Sequence, residues 1–211
     1  MEIQHIPQWA YSAKAVAIEL FHYPAWDKLQ RPIVLIGGVH GDEPEGVNLA
    51  TSTLEWLQID NTSAQTVKTP WVLVPCLNPD GYAANTRVNG NAVDLNRNYP
   101  SQNWSPKYEK KKYAPGKEPG SEPEIKAMVK LIEELRPRLL IHCHSWKPCV
   151  VCTGHPGLKD ANYLAESSGY QVVDDIGYPT SGSLSQFGWH EHKIPVICIE
   201  EAERVDKQTS W

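Results

Sequence analysis

His40 and Glu43 stand three residues apart in the segment Val39-His40-Gly41-Asp42-Glu43. Gly41 between them lets the backbone turn tightly, so that an imidazole and a carboxylate can face one point. His144 is the candidate third member. Two histidines and one carboxylate form the ligand set of a catalytic zinc site, which keeps a further position open for water. His142 competes for the third place, because residues two apart on a strand point to the same face; His144 is preferred as the nearer to the strand's end. His-x-x-Glu has a second explanation, since Glu43 beside Pro44 also favours a helix start. No His-Glu-x-x-His occurs, which excludes the helix-borne metalloprotease arrangement.

These residues need elements to bring them together. The apolar runs Ile33 to Val39, Trp71 to Cys76, Leu139 to Cys143 and Ile194 to Ile199 are short, rich in β-branched residues and not strictly alternating, as strands buried on both faces should be. Helical periodicity fills the gaps at Glu45 to Leu57 and at Glu124 to Leu135, where Ile125, Met128, Val129, Ile132 and Leu135 share a stripe. Further helices are expected over Lys159 to Ser167 and Ser183 to His192. Alternating strands and helices predict an α/β sandwich with a mostly parallel sheet. His40, His144 and the pair Glu200-Glu201 each follow the carboxyl end of a strand, where ligands bind in open α/β sheets. Two imidazoles and carboxylates converging there suggest a metal.

The stretch from Asn78 to Gly120 is rich in Asn, Pro, Gly and Tyr and has little periodicity, so it reads as a long functional excursion. Its run Glu109-Lys110-Lys111-Lys112 reads as a solvated face. The five cysteines cannot all pair within one chain, and Cys149-Val-Val-Cys152 lacks the second pair of a zinc ribbon, so reduced structural thiols are expected. With 25 acidic and 20 basic residues, the net charge of -5 gives no pull toward nucleic acid or anionic lipid. Met1 to Ala10 has no secretion pattern and no segment has the apolar length of a membrane span, so a cytoplasmic protein with no membrane partner is expected. At 211 residues, one domain over 1–211 is the expected count.

Seven segments, in order, resemble the M14 zinc carboxypeptidases, and within them the bacterial murein tripeptide amidases. They are Gly38-Val-His40-Gly-Asp-Glu43, Asn78-Pro-Asp-Gly81, Val93-Asp-Leu-Asn96-Arg97-Asn98-Tyr-Pro100, Pro119-Gly-Ser-Glu-Pro-Glu124, His144-Ser145, Gly177-Tyr178-Pro-Thr180 with Gly182-Ser183, and Ile199-Glu200. The resemblance implies a three-layer α/β/α sandwich around a mixed, mostly parallel sheet. It implies one zinc ion held by His40, Glu43 and His144, with Glu200 as general base. Arg87 matches the family's electrophilic arginine, which would stabilise the oxyanion. Asn96 and Arg97 match the pair that holds a substrate carboxylate, a task suited to a guanidinium's two parallel donors. Tyr178 matches the tyrosine that covers the substrate. Glu201 should face away from Glu200 if the strand continues.

After Ser183 the chain reads Leu184-Ser185-Gln186-Phe187, which favours neither a simple basic nor a simple aromatic side chain in the specificity pocket. The expectation is an amidohydrolase that cleaves beside a free carboxylate in a short peptide such as L-Ala-γ-D-Glu-diaminopimelate. The alternatives are an N-acyl amino acid deacylase resembling aspartoacylase or succinylglutamate desuccinylase, and an inactive peptide-binding relative.

Overall fold

A computed structural model describes residues 3–23, 31–60 and 69–204. Residues 1–2, 24–30, 61–68 and 205–211, to which the expectation of one domain over 1–211 extends, lie outside the described residues. The order is β1 (Gln4–Tyr11), β2 (Ala17–Tyr23), β3 (Ile33–Ile36), α1 (Pro44–Asp60), β4 (Trp71–Val74), α2 (Pro79–Ala84), α3 (Pro123–Leu135), β5 (Leu139–Trp146), β6 (Cys149–Thr153), α4 (Leu158–Ser168), β7 (Val172–Val173) and β8 (Val196–Ala202). Among the described residues, eight strands form one sheet in the order β1-β2-β4-β3-β5-β8-β6-β7. Its centre, β4-β3-β5-β8, is parallel. The β1-β2 and β2-β4 pairs are antiparallel on one side, and β8-β6 on the other.

The sheet is the middle of three layers. On one face α3 lays Ile125, Met128, Leu131, Ile132 and Leu135 against Val34, Ile36, Leu140 and Val196. Pro123 starts this helix with a preset backbone angle, and Arg136 ends it in a left-handed turn before Pro137. On the other face Leu49 of α1 and Ala161 of α4 cover Leu139, Ile141, Cys143, Ile197 and Ile199. The alternation matters for chemistry. Leu140, His142 and His144 of β5 share the α3 face with Val196, Cys198 and Glu200 of β8, so that face is apolar where the strands begin and polar where they end.

Several extents differ from the sequence reading. β3 stops at Ile36, and residues 37–39 already belong to the turn that carries His40. The expected helix over Ser183 to His192 is a π-type turn, Gln186–Glu191. The excursion from Asn78 to Gly120 is ordered, with α2 and two 3-10 turns, Leu95–Arg97 and Lys111–Tyr113. Gly41 is needed for a different reason from the one expected. A Cβ there would stand 1.9 Å from the backbone carbon of Gly81, so the requirement is close approach between two turns. A Cβ at Gly46 would lie 2.4 Å from the carbonyl oxygen of Cys143, which shows how closely the first turn of α1 rests on β5.

Candidate active site

His40, Glu43 and His144 meet at the carboxyl end of the parallel strands. Glu43 Oε1 lies 2.8 Å from His40 Nδ1, and Glu43 Oε2 lies 2.7 Å from His144 Nδ1. The two Nδ1 atoms are 3.0 Å apart. Two ligands about 2.05 Å from one ion at a tetrahedral angle stand about 3.3 Å apart, so the three donors converge as a shared cation requires. The fit holds on chemistry too, since two imidazole nitrogens and a carboxylate suit zinc.

The outer nitrogens of both imidazoles are also engaged. His40 Nε2 is 3.1 Å from Asp94 Oδ1, and His144 Nε2 is 2.9 Å from His142 Nδ1. Asp94 is wholly buried and caps its own turn by accepting from Asn96 N; its second oxygen accepts from Arg87 Nε at 2.8 Å. Arg87 donates through Nη1 to Glu43 Oε1 at 3.1 Å and lies over the ring of Tyr113. One buried carboxylate therefore fixes both the His40 imidazole and the guanidinium beside it.

The electrostatics favour positive charge between the donors. Burial opposes ionisation of Glu43, yet His40 and His144 hold its carboxyl well below the usual range. Burial and Arg87 act to lower the pKa of His40, but Glu43 and Asp94 outweigh them and raise it. Burial keeps His142 neutral, its pKa well below the ordinary value. Asp94 is depressed because His40 and Arg87 outweigh its burial. A carboxyl depressed in the fold adds stability above its unfolded pKa, ordinarily near 3.9, and loses it as pH falls toward the folded value. Chelator-treated protein should thus lose urea resistance below about pH 4, and Asp94→Asn should flatten that decline; parallel curves for the two proteins would count against this account.

Glu200 stands in register with His144 on the adjacent strand. Its carboxyl pKa is raised, chiefly by burial and further by Glu43, although His144 pulls it down. The Cys198 thiol donates to its Oε1 at 3.4 Å. Glu201 faces the other side, where the Tyr170 hydroxyl donates to it. Asn96 Oδ1 accepts from Leu184 N, which ties the 3-10 turn to the segment after Ser183. Arg97 Nη1 donates to the carbonyl of Asn96 at 2.7 Å. The Tyr178 hydroxyl pKa is raised, chiefly by burial and further by Glu200, although Arg87 and Arg97 pull it down; all three charged groups are within electrostatic reach of the phenol. Its ring meets Trp146 edge-on, and both are partly exposed.

All eight expected site residues thus lie near one another at the carboxyl end of the parallel strands. Asp94 was passed over, although it stands two residues before Asn96 in the same segment. Glu45 was missed as well: buried in the first turn of α1, it accepts from Ser145 Oγ at 2.7 Å and from Arg204 N, joining α1 to β5 and to the end of β8. Standing two residues after Glu43, Glu45 carried no visible signal of this role.

The family model described as zinc carboxypeptidase matches residues 12–156, and the chain belongs to that family, Peptidase_M14. It is a peptide-bond hydrolase of the metallopeptidase type. Murein peptide amidase A of Vibrio campbellii is 29% identical over 202 residues, covering 90% of this chain and 77% of that protein. The crystal structure of the murein-tripeptide amidase MpaA from Escherichia coli O157 covers 100% of this chain and 87% of its own, at 27% identity and a TM-score of 0.78. The carboxypeptidase A of Helicoverpa armigera shares the fold at 19% identity, with a TM-score of 0.80 over 99% of this chain and 61% of its own.

Proposed function

We propose that the chain is a zinc-dependent amidase that cleaves the amide beside a free carboxylate in a short peptide, with a murein-derived peptide such as L-Ala-γ-D-Glu-diaminopimelate as substrate. The observation that carries the reading is the meeting of His40, Glu43 and His144 within 3.0 Å, with Glu200 in register beside them. The relatives named as murein peptide amidases support the substrate class. Residues 1–211 act as one catalytic domain.

His40, Glu43 and His144 are the residues that would hold one zinc ion. When bound, the ion supplies a Lewis acid that polarises the scissile carbonyl and makes water acidic enough to lose a proton near neutrality. Glu200 accepts that proton as the water attacks and delivers it to the departing amine nitrogen. Its raised pKa makes it a stronger base than an ordinary carboxylate and brings it nearer the working pH, so that it can take up the proton and then give it back. Arg87, fixed by Asp94, presents positive charge to the developing oxyanion. Asn96 uses its amide NH2 on the substrate carboxylate, its oxygen being held by Leu184 N. Arg97 grips the same carboxylate with two donors. Tyr178 closes over the bound peptide beside Trp146.

The five thiols are free, which supports a reducing, cytoplasmic setting and a task in peptidoglycan recycling. Incubating the enzyme and zinc with murein tripeptide, ordinary dipeptides and N-acyl amino acids, and weighing the products, tests the assignment: release of free diaminopimelate is expected. Release of an acyl group alone would move the chain to the deacylases.

Arg97→Lys should raise KM for a carboxylate-bearing peptide roughly 10- to 100-fold, as loss of a charge-assisted bond worth about 1.5–3 kcal/mol implies. Steady-state kinetics with the peptide and its carboxamide test this. An equal KM for wild type and variant on the free acid would place the carboxylate elsewhere.

A further inference from the structure

His142 is 2% exposed and its Nε2 has no hydrogen-bond partner among the described residues. A buried polar atom left unpaired is costly and rare in a native interior. An apolar residue at this point of β5 would avoid the cost, because the strand before it is Leu139-Leu140-Ile141 and the core beneath is apolar. The ring is not held by its cross-strand partner either: Cys198 stands opposite on β8 and gives its thiol to Glu200. One polar contact distinguishes His142, the 2.9 Å approach of its Nδ1 to His144 Nε2, with the two rings nearly perpendicular at 87°.

We propose that His142 is a positioning residue for His144: its Nδ1 accepts the Nε2–H of His144 and so fixes the tautomer and ring angle that turn His144 Nδ1 toward His40 and Glu43. The proposal rests on the reading of His144 as a metal ligand. If Nδ1 of His144 is to offer a lone pair, its one proton sits on Nε2, and the neighbour must accept. His142 can accept at Nδ1 only when its own proton is on Nε2, which is the atom the fold leaves unpaired. The unpaired N–H is thus the counterpart of the hydrogen bond to His144.

Asp94 does for His40 Nε2 what His142 does for His144 Nε2. The two partners differ in charge, and the difference has a reason. Outer partners that orient metal-bound histidines are commonly carboxylates or carbonyls. A carboxylate at position 142 would lie beneath a site that already holds Glu43, Asp94 and Glu200, with Glu200 directly beside His144 on the next strand. A neutral imidazole accepts the same proton without adding a fourth negative charge close to the base.

The test uses the full chain, stripped of metal and titrated with cobalt(II) against a chromophoric chelator, with the visible absorption bands and melting temperature recorded beside the affinity. His142→Leu should weaken cobalt binding about 10- to 100-fold, the usual cost of losing an outer partner, and should alter the band envelope. His142→Asn places an amide oxygen where Nδ1 lies and should recover most of the affinity. His142→Gln reaches instead toward the place of Nε2 and should not. Should the leucine variant fail to fold, the asparagine and glutamine pair decides. Cobalt affinity in His142→Leu equal to wild type, or equal losses in Asn and Gln variants, overturns the positioning role while leaving the metal site standing. Wild-type protein that takes up no stoichiometric cobalt, or a Glu43→Ala variant that binds it as tightly, sinks the metal site itself and the proposal with it.

Discussion

Glu200→Gln is expected to lower kcat by about 10²- to 10⁴-fold, the range that a positioned general base supplies, while the protein still binds one zinc ion. The side chain is nearly isosteric and stands on a central strand, flanked by β5 and β6, so the backbone has no cause to move. The amide cannot accept the water's proton or return it to the amine. None of the three proposed metal ligands is touched, so metal analysis separates loss of the base from loss of the ion. Turnover at the wild-type rate would reassign the base, and zinc lost together with activity would mean that Glu200 belongs to the ligand set.

Asp94→Ala should have the second large effect, on stability and catalysis together. The carboxylate is fully buried, accepts from Arg87 and Asn96 N, and contacts His40 Nε2. Removing it takes the Nε partner from a mostly buried guanidinium and leaves Arg87 its ion pair with Glu43. Breaking a buried pair by deleting one partner costs about 3–5 kcal/mol. Asp94→Asn keeps the shape and part of the hydrogen bonding, so it should be the milder change in denaturant midpoint while still lowering kcat. An alanine variant as stable as wild type would show that the pair adds nothing to the fold.

How much of this was legible in the sequence follows from the kind of signal each part leaves. The parallel strands β3, β4, β5 and β8 are buried on both faces and so stand out as apolar runs, and the polar residues at their ends mark the site. The edge strands leave weaker traces. β1 is mostly exposed and contains Pro7, which hides it. In β2, Ile18, Leu20 and His22 alternate with more exposed residues, a half-buried strand pattern that a search for continuous apolar runs passes over. β7 has two residues, too few for any period. The π-type turn after Ser185 shares its apolar spacing with an α-helix, and spacing alone does not separate them.

Within the site, ligands were legible and their supports were not. His40, Glu43 and His144 are types that coordinate metals at positions where strands end. Asp94 lies in an irregular stretch with no periodicity, and only the fold shows that its two oxygens face His40 and Arg87. His142 read as a rival of His144 for the third ligand place, because two residues along one strand share a face and the sequence does not show which ring supports the other. Supporting contacts depend on distances across elements, and those distances exist only once the sheet has formed.

The position of β8 has a consequence for the making of the protein. Among the described residues it is the last strand in chain order, yet it is inserted between β5 and β6, both of which precede it. A nascent polypeptide that has just left the ribosome tunnel as far as β7 owns His40, Glu43 and His144 but not Glu200. On the proposed roles such a chain has the ligands without the base, so hydrolysis waits until β8 has been made and has entered the sheet.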